Sequence, residues 1–332
     1  MTSSVGARVT QQMASAALIM TIGATGTMLS SSASACTFEN FNDFTLAFQN
    51  QSGVRQQHIH KPLMSQQVQL QGSEPDTKTN EIDHPNAAVE QIFALQKRDE
   101  LNVSSSAPDR MTLRDNKGKT LFILLFDAGN CWKLKKIENW SLGKEQALAD
   151  AAESAHAATQ RGDIYNRLAN ETPSDSSIAL YASALDSYLY AAKLGSTKAA
   201  YLAAGISLSG QAPRLDNQQI QSLLETASQS YPDAGLTLAN FYCDEGEYGE
   251  SRPCANPEKS LEALRRSARL GSPVALIELG STYASGSITE RNPQRALACY
   301  EEAQRKGADG LQPSIDDLKT SGVETSNTVH CF

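Results

Sequence analysis

The chain has 332 residues, a formal net charge of −8, and 40% hydrophobic against 20% charged residues. Its length allows two ordinary domains, and its composition is that of a globular protein rather than a disordered or fibrous one. The acidic balance and the lack of a clustered basic patch in the sequence argue against nucleic acid as a partner, because phosphate binding needs such a patch.

Residues 1–35 are typical of a signal peptide. Arg8 is their only charge, an apolar stretch runs from Ala14 to Leu29, and a small-residue run ends in Ala33-Ser34-Ala35, an A-x-A cleavage pattern. A membrane anchor is the alternative, but the apolar stretch is short and rich in Gly, Ser and Thr. We therefore predict cleavage after residue 35 and a periplasmic or secreted location for the mature chain.

Cys36 would be the first residue of the mature chain, which resembles a bacterial lipoprotein junction. Such junctions usually carry leucine where this chain has Ala33. Lipidation would also leave five of the six cysteines, an odd number, for disulfides. We favour the soluble form and expect membrane attachment only if Cys36 is lipidated.

Residues 36–140 mix helix and strand patterns and predict an α+β domain. Helices are indicated around residues 41–48 and 86–100, a hairpin over 111–126, and a tryptophan-bearing strand over 131–140. Residues 54–63 have an extended pattern, and the polar residues 72–86 predict a loop. This order of elements resembles the cone-shaped NTF2-like folds, which often have a pocket.

Alanine becomes frequent after residue 141, and β-branched runs disappear. Residues 141–176 predict a helical linker or a degenerate repeat, with a helix over 144–160 and a repeat start at Gly162-Asp163. Residues 177–307 predict an all-α array of helix pairs, and residues 308–332 a C-terminal cap. The fold class is therefore mixed: an α+β domain followed by a helical solenoid.

Three 16-residue segments in this array align without gaps, and they begin at Gly195, Tyr231 and Gly271. Their fifth position is always small, and the helix that follows each has a small residue three positions after a larger one. Small residues let two helices approach closely, and large ones fill the space between successive pairs. The small positions are Ala199, Gly235 and Ala275 in the first helices and Ala191, Ala227, Ser267 and Ala303 in the second helices; the larger ones are Tyr188, Leu224, Leu264 and Tyr300.

The ends of these helices carry capping signals. Gly195, Gly271 and Gly307 follow helix ends, where a left-handed residue is needed. Asn256 and Asn292 each precede a proline that suits the first helical position.

These columns resemble Sel1-like repeats, which are related to tetratricopeptide repeats. The last repeat matches the family pattern at Ala275, Leu279-Gly280, Tyr283, Gly286, Ala296-Leu297, Tyr300, Ala303 and Gly307. The earlier repeats depart from it at Ala203-Ala204, Tyr231 and Ala239-Asn240. The resemblance implies a right-handed superhelix that serves protein–protein contact, and it supplies no catalytic residues.

Disulfides are predicted because all six cysteines follow the cleavage site of an exported chain. The connection after Gly246 is four residues longer than its equivalents and carries Cys254, with Cys243 at the end of the preceding helix. Cys243–Cys254 is therefore the favoured pair. The remaining tentative pairs are Cys36–Cys131 and Cys299–Cys331.

Two classes of function stay open from the sequence. The first is an exported scaffold that binds another protein through the array. An immunity or inhibitor role against a secreted effector belongs here by analogy with exported Sel1-like proteins, and a role in envelope assembly or host contact fits equally well. The second is a ligand-binding or enzymatic role of residues 36–140. No catalytic motif, cofactor fingerprint or zinc spacing is present, and we interpret His58 and His60 as a polar pair on a strand rather than metal ligands. We expect no enzyme activity and no cofactor.

Overall fold

The structure is a computed structural model that describes residues 38–71, 74–106, 108–127, 131–142, 153–171, 176–247, 253–324 and 328–332. The predicted signal peptide, Cys36 and the first ten residues after Leu142 lie outside these ranges. An α+β region comes first and a series of paired helices follows, which confirms the predicted fold class.

The α+β region consists of three helices and one six-stranded sheet among the described residues. The sheet order is β2-β1-β6-β5-β4-β3; β1 runs parallel to β6, and the other neighbours are antiparallel. In chain order the elements are α1 (Phe41–Asn50), α2 (Ser52–Gln57), β1 (Ile59–Gln71), β2 (Glu74–Glu81), α3 (Pro85–Arg98), β3 (Asn102–Ser106), β4 (Arg110–Arg114), β5 (Leu121–Asp127) and β6 (Lys133–Asn139). The NTF2-like resemblance of this region stays a prediction.

Two stretches of this region differ from the sequence predictions. Residues 54–57 belong to helix α2, and the extended segment begins only at Ile59. Residues 74–81, predicted as loop, form strand β2, which pairs with β1 at the edge of the sheet. Most side chains of β2 are exposed, so the strand is held by backbone hydrogen bonds and shows no apolar alternation in the sequence.

Both faces of the sheet are covered, and the pattern of β5 shows how. Successive side chains of a strand point to opposite faces. Phe122, Leu124 and Phe126 enter an aromatic core with the helices α1 and α3, whereas Leu121 and Ile123 enter a second core with the helices that follow the sheet. A strand that is buried on both faces has a continuous apolar sequence, and residues 121–126 form such a run.

The aromatic core fills the space between the sheet and α1. The rings of Phe44 and Phe48 lie 5.3 Å and 5.1 Å from that of Phe126, and both contacts are edge-to-face. Below them, the buried guanidinium of Arg55 donates to both carboxylate oxygens of Glu90, at 2.8 Å and 2.6 Å. These hydrogen bonds lower the pKa of Glu90. The interior of the predicted cone is therefore packed with side chains.

The helical half contains four helix pairs and a final helix among the described residues. Within each pair the two helices pack against each other: α4 (Ala155–Glu171) with α5 (Ser176–Lys193), α6 (Thr197–Leu208) with α7 (Asn217–Ala227), α8 (Ala234–Asp244) with α9 (Pro257–Arg269), and α10 (Pro273–Ser285) with α11 (Pro293–Arg305). The helix α12 (Gln312–Thr320) covers the last pair through Leu311, Ile315 and Leu318. No helix in the described ranges is long and apolar enough to cross a membrane.

The predicted repeat columns all lie at buried positions between helices. The small and large members of the second-helix columns are at most 7% exposed, and Ala199, Gly235 and Ala275 are buried in the first helices. Gly235 lies against Ser267 so closely that a Cβ would come within 2.8 Å of the Ala263 carbonyl oxygen. Close helix approach thus explains the small residues at these positions.

The helices α4 and α5 pair in the stretch for which a linker or a degenerate repeat is predicted, and α4 begins before the predicted repeat start at Gly162-Asp163. Gly162 lies in the middle of α4, not at its start, and a Cβ there would be 2.6 Å from Cδ1 of Tyr188. Gly280 in α10 stands in the same relation to Tyr300, with the same distance of 2.6 Å. Of the helix predicted over 144–160, residues 155–160 belong to α4, whereas residues 144–152 lie outside the described residues.

The capping predictions hold at four of five positions. Gly195, Gly271 and Gly307 have φ of 96°, 93° and 91°, the left-handed conformation expected after a helix. Asn292 accepts a hydrogen bond from the Arg295 amide at 3.0 Å, as an N-cap does. Asn256 instead donates its side-chain amide to the Tyr242 carbonyl.

The sheet and the first helix pair share one core. Tyr165 of α4 is fully buried, and its hydroxyl donates to the Trp140 carbonyl at 2.8 Å. Arg114 at the end of β4 forms an ion pair with Asp186 of α5, and Gly118 in the turn before β5 packs on Ser183 and Ser187. Residues 38–332 form one compact unit, so the change of composition near residue 141 does not coincide with a gap in packing.

Candidate binding surface

Two disulfides fix connections of the array. Cys243 at the end of α8 is bonded to Cys254, the pair that the enlarged connection favours in the sequence. The amide of Ala255 also donates to the Cys243 carbonyl at 3.2 Å, so both ends of this connection are held together.

The second disulfide, Cys299–Cys331, holds residues 328–332 beside α11, and both cysteines are buried. Cys131 is disulfide-bonded as well, and Cys36, its predicted partner, lies outside the described residues.

The two histidines of the N-terminal region do not come together as ligands. His58 ends α2, and its Nδ1 lies 2.7 Å from the Trp132 carbonyl oxygen. His60 is the second residue of β1 and faces Asp127, with 2.5 Å between Nε2 and the carboxylate. Within the described ranges no cluster of three or more His, Cys, Asp or Glu has a metal-binding arrangement.

The recess found in the N-terminal region is open rather than enclosed. It lies where β1 meets the start of α3, between Leu63 and Pro85, and has a volume of about 720 Å³. It is lined mostly by exposed or half-exposed residues such as Asp83 and His84, and it borders the aromatic core at Leu63, which is fully buried, and at Ile82, which packs against that core.

A tyrosine stands between oppositely charged side chains where the second and third helix pairs meet. The Tyr242 hydroxyl of α8 donates to Oε1 of Glu225 in α7 at 2.7 Å, and Nζ of Lys259 in α9 lies 5.5 Å from the tyrosine ring. Burial, together with this hydrogen bond to a carboxylate, raises the pKa of Tyr242 to about 12. We call Glu225, Tyr242 and Lys259 the Glu–Tyr–Lys cluster; its charges balance.

A second cluster lies between the third and fourth helix pairs, with its tyrosine one position later in the aligned repeat, and its charges do not balance. The Tyr283 hydroxyl of α10 accepts from Nε and Nη2 of Arg265 in α9 at 3.2 Å and 2.9 Å. It also accepts from Nη1 of Arg295 in α11 at 3.4 Å, and that guanidinium lies 5.6 Å from the ring centroid. We call these residues the Arg–Tyr–Arg cluster.

The two clusters follow a register that the sequence analysis did not use. Glu225 and Arg265 each lie two residues before the small residue of their second helix, and Lys259 and Arg295 each lie five residues before the large one. These positions are half-buried or exposed, and they vary in charge between repeats, so a search for constant small or apolar columns passes over them. Reading the variable columns next to the constant ones would have found them.

A third tyrosine contact links the first helices of the second and third pairs. The rings of Tyr201 in α6 and Tyr231, just before α8, have centroids 5.0 Å apart, and both side chains are half-buried. Tyr231 occupies the position that is Gly195 and Gly271 in the other repeats. The departure from the repeat pattern therefore places an aromatic pair on the surface of the array.

Comparison with known proteins places this chain beside repeat proteins. No family model and no curated protein matches it. Among solved structures it is similar to a Sel1 repeat protein from Oxalobacter formigenes, with 21% identity and a TM-score of 0.44 over 55% of this chain and 72% of that one. A sel1 repeat protein from Klebsiella pneumoniae subsp. pneumoniae has 22% identity and a TM-score of 0.30 over 50% and 83% of the two chains.

A protective antigen of uropathogenic Escherichia coli strains, which displays an SLR fold, has 22% identity and a TM-score of 0.43. The match covers 52% of this chain and 35% of the antigen, so about two thirds of the antigen has no counterpart in it.

Proposed function

We propose that this chain is an exported scaffold that binds another protein on its helix array. The observation that carries the proposal is the pair of tyrosine clusters. At both junctions, charged side chains that are exposed or half-exposed surround a tyrosine, which is half-buried at Tyr242 and buried at Tyr283. Tyrosine and arginine are enriched in protein interfaces, because one side chain provides both apolar area and directional hydrogen bonds. A repeat array presents such side chains at regular intervals on one extended surface.

The packing of the N-terminal region favours this function over a ligand-binding or enzymatic one. A small-molecule site is normally a concave pocket with a few converging polar groups. Here Phe44, Phe48 and Phe126 occupy the space between the helix and the sheet, and the open recess beside α3 borders this packed core without extending the space between these rings. We infer that this region supports the array and adds contact surface.

Export is part of the proposal and rests on residues 1–35 and on the even number of cysteines. An exported array with a protein partner fits an inhibitor or immunity role against a secreted effector, and this finer role rests on family analogy. Deleting the gene in the strain that carries it tests the finer role. If the deletion strain grows normally in contact with its parent, the immunity role is rejected, and the scaffold role is not affected.

Site-specific photo-crosslinking tests the scaffold role in the living strain. A photoreactive residue replaces Glu262, an exposed side chain on α9 beside the two clusters, and a matched variant carries it at Gln91, an exposed position on α3. We expect one discrete protein adduct from position 262 and a weaker one or none from position 91. Equal adduct patterns at the two positions, or none at 262, would contradict binding on this surface.

A further inference from the structure

The Arg–Tyr–Arg cluster has an excess of positive charge for its surroundings. Both guanidinium groups are half-buried, and neither has a carboxylate within ion-pair distance among the described residues. Their neighbours do: Arg266 pairs with Glu262 and Arg305 with Glu302. Two like charges that share one hydroxyl repel each other, most strongly where water is partly excluded.

The hydrogen bonds of the cluster are also incomplete. The Tyr283 oxygen accepts from three N–H groups, more than the two acceptor positions that a hydroxyl offers. Each arginine has five N–H donors, and most of those in this cluster are not used by protein groups. The cluster therefore holds donors ready for an acceptor that carries negative charge.

The Glu–Tyr–Lys cluster indicates which acceptor fits. At the preceding junction the tyrosine hydroxyl faces the carboxylate of Glu225, with a cation on the other side of the ring. At the next junction Arg265 stands in the place of the glutamate. The arrangement that is complete within the chain at one junction thus lacks its carboxylate at the other.

We propose that the Arg–Tyr–Arg cluster binds a carboxylate side chain of the partner protein. The proposal rests on the scaffold function argued above and deepens it. A planar guanidinium offers two parallel N–H groups to a carboxylate, so two arginines can hold both oxygens. Access is open at Arg295, which lines a surface recess of about 390 Å³ together with Asn292 and Gln294.

An acidic peptide tests this site without knowledge of the partner. The probe is a fluorescein-labelled, end-blocked hexaglutamate, and its binding to the full oxidised chain is followed by fluorescence anisotropy at low salt. Arg265→Glu copies the charge pattern of the Glu–Tyr–Lys cluster, and Arg295→Gln removes the second cation with little change of shape. We expect each variant to weaken binding roughly tenfold or more, because each loses charge-assisted hydrogen bonds.

Arg305→Gln is the matched control. Arg305 lies on the same helix as Arg295, is 71% exposed and pairs with Glu302, so its loss changes the charge of α11 without touching the cluster. We expect this variant to bind within about twofold of the native chain, since the contribution of an exposed pair is small. Circular dichroism on all three variants checks that they fold.

Three results would overturn the carboxylate site. Unchanged binding by folded Arg265→Glu and Arg295→Gln is one, and an equal loss in Arg305→Gln, which would mean non-specific charge attraction, is another. The third is displacement of the peptide by inorganic phosphate at lower concentration than by acetate, which would make this a phosphate site. If the crosslinked adduct at position 262 persists in Arg265→Glu while the peptide no longer binds, the scaffold function is kept, and the partner's carboxylate does not bind at this cluster. If the peptide binds but no adduct forms at position 262, the scaffold function is rejected, and the carboxylate site itself is kept.

Discussion

Replacing Gly280 by alanine is expected to destabilise the last helix pair, although alanine is the better helix former. Gly280 lies inside α10, where the change alone would stabilise the helix by about 1 kcal/mol. Against this, the added Cβ would lie 2.6 Å from Cδ1 of Tyr300, a residue that is only 7% exposed. Forcing a methyl group into a filled core costs about 1–3 kcal/mol.

Gly205→Ala separates these two effects. Gly205 is also inside a first helix, α6, but no atom lies within 4 Å of the position that a Cβ would take. This variant should therefore be more stable than the native chain by about 0.5–1 kcal/mol. The helix-propensity contribution is similar at the two positions, so the difference between Gly280→Ala and Gly205→Ala isolates the steric cost, about 1–3 kcal/mol.

Urea unfolding of the oxidised chain, followed by far-ultraviolet circular dichroism, measures both variants under the same conditions. A double variant, Gly280→Ala with Tyr300→Leu, should recover most of the loss, because the second and third repeats carry leucine in the Tyr300 column. The reasoning is refuted if Gly280→Ala is as stable as Gly205→Ala, or if Tyr300→Leu brings no recovery.

Three further variants test other parts of the structure. Replacing Cys243 and Cys254 by serine should lower the free energy of unfolding by roughly 3 kcal/mol, the loop-closure value for a separation of 11 residues; an unchanged urea midpoint would contradict this. Tyr242→Phe should make the free energy of unfolding depend less on pH in the alkaline range. The raised pKa of Tyr242 contributes stability that is fully present below pH 10.0 and is lost as the pH rises through about 12. Identical plots of unfolding free energy against pH above pH 10 for the two proteins would argue against this. Glu90→Gln should make the free energy of unfolding depend less on pH in the acid range. Arg55 lowers the pKa of Glu90, and this contributes stability above about pH 4.5 that is lost as the pH falls through the folded-state pKa. Parallel acid titrations of stability for the two proteins would be the opposing result.

The array was predictable because its packing rule repeats. Positions such as Ala199 and Ala303 must be small wherever two helices cross closely, and four copies of one constraint leave a visible period. The structure adds a second rule to the same columns. Glycine stands opposite tyrosine in the first and last repeats, at Gly162 and Gly280, whereas Ala204 and Asn240 occur where the larger column is leucine. At Ala204, which is fully buried in one core with Leu224, the departure from the motif is a matched change of volume, whereas Asn240 is exposed.

The remainder escaped prediction for two physical reasons. Strand β2 is held by backbone hydrogen bonds at a sheet edge, so its composition carries no trace of burial. The contact of the sheet with the first helix pair depends on residues far apart in sequence, such as Trp140 with Tyr165 and Arg114 with Asp186, and no local pattern encodes such distances. The charged members of the two tyrosine clusters also change from repeat to repeat, which removes them from any periodic signal.

The covering of both ends of the helix array limits how such a protein can change in length. At one end the sheet lies on α4 and α5, and at the other α12 and the segment tied by Cys299–Cys331 lie on the last pair. A repeat added outside either covering would lose a partner for its apolar face. Lengthening by duplication is therefore compatible with folding only as whole helix pairs inserted between the two ends, and each insertion would create one new junction at which a tyrosine cluster of either charge can be placed.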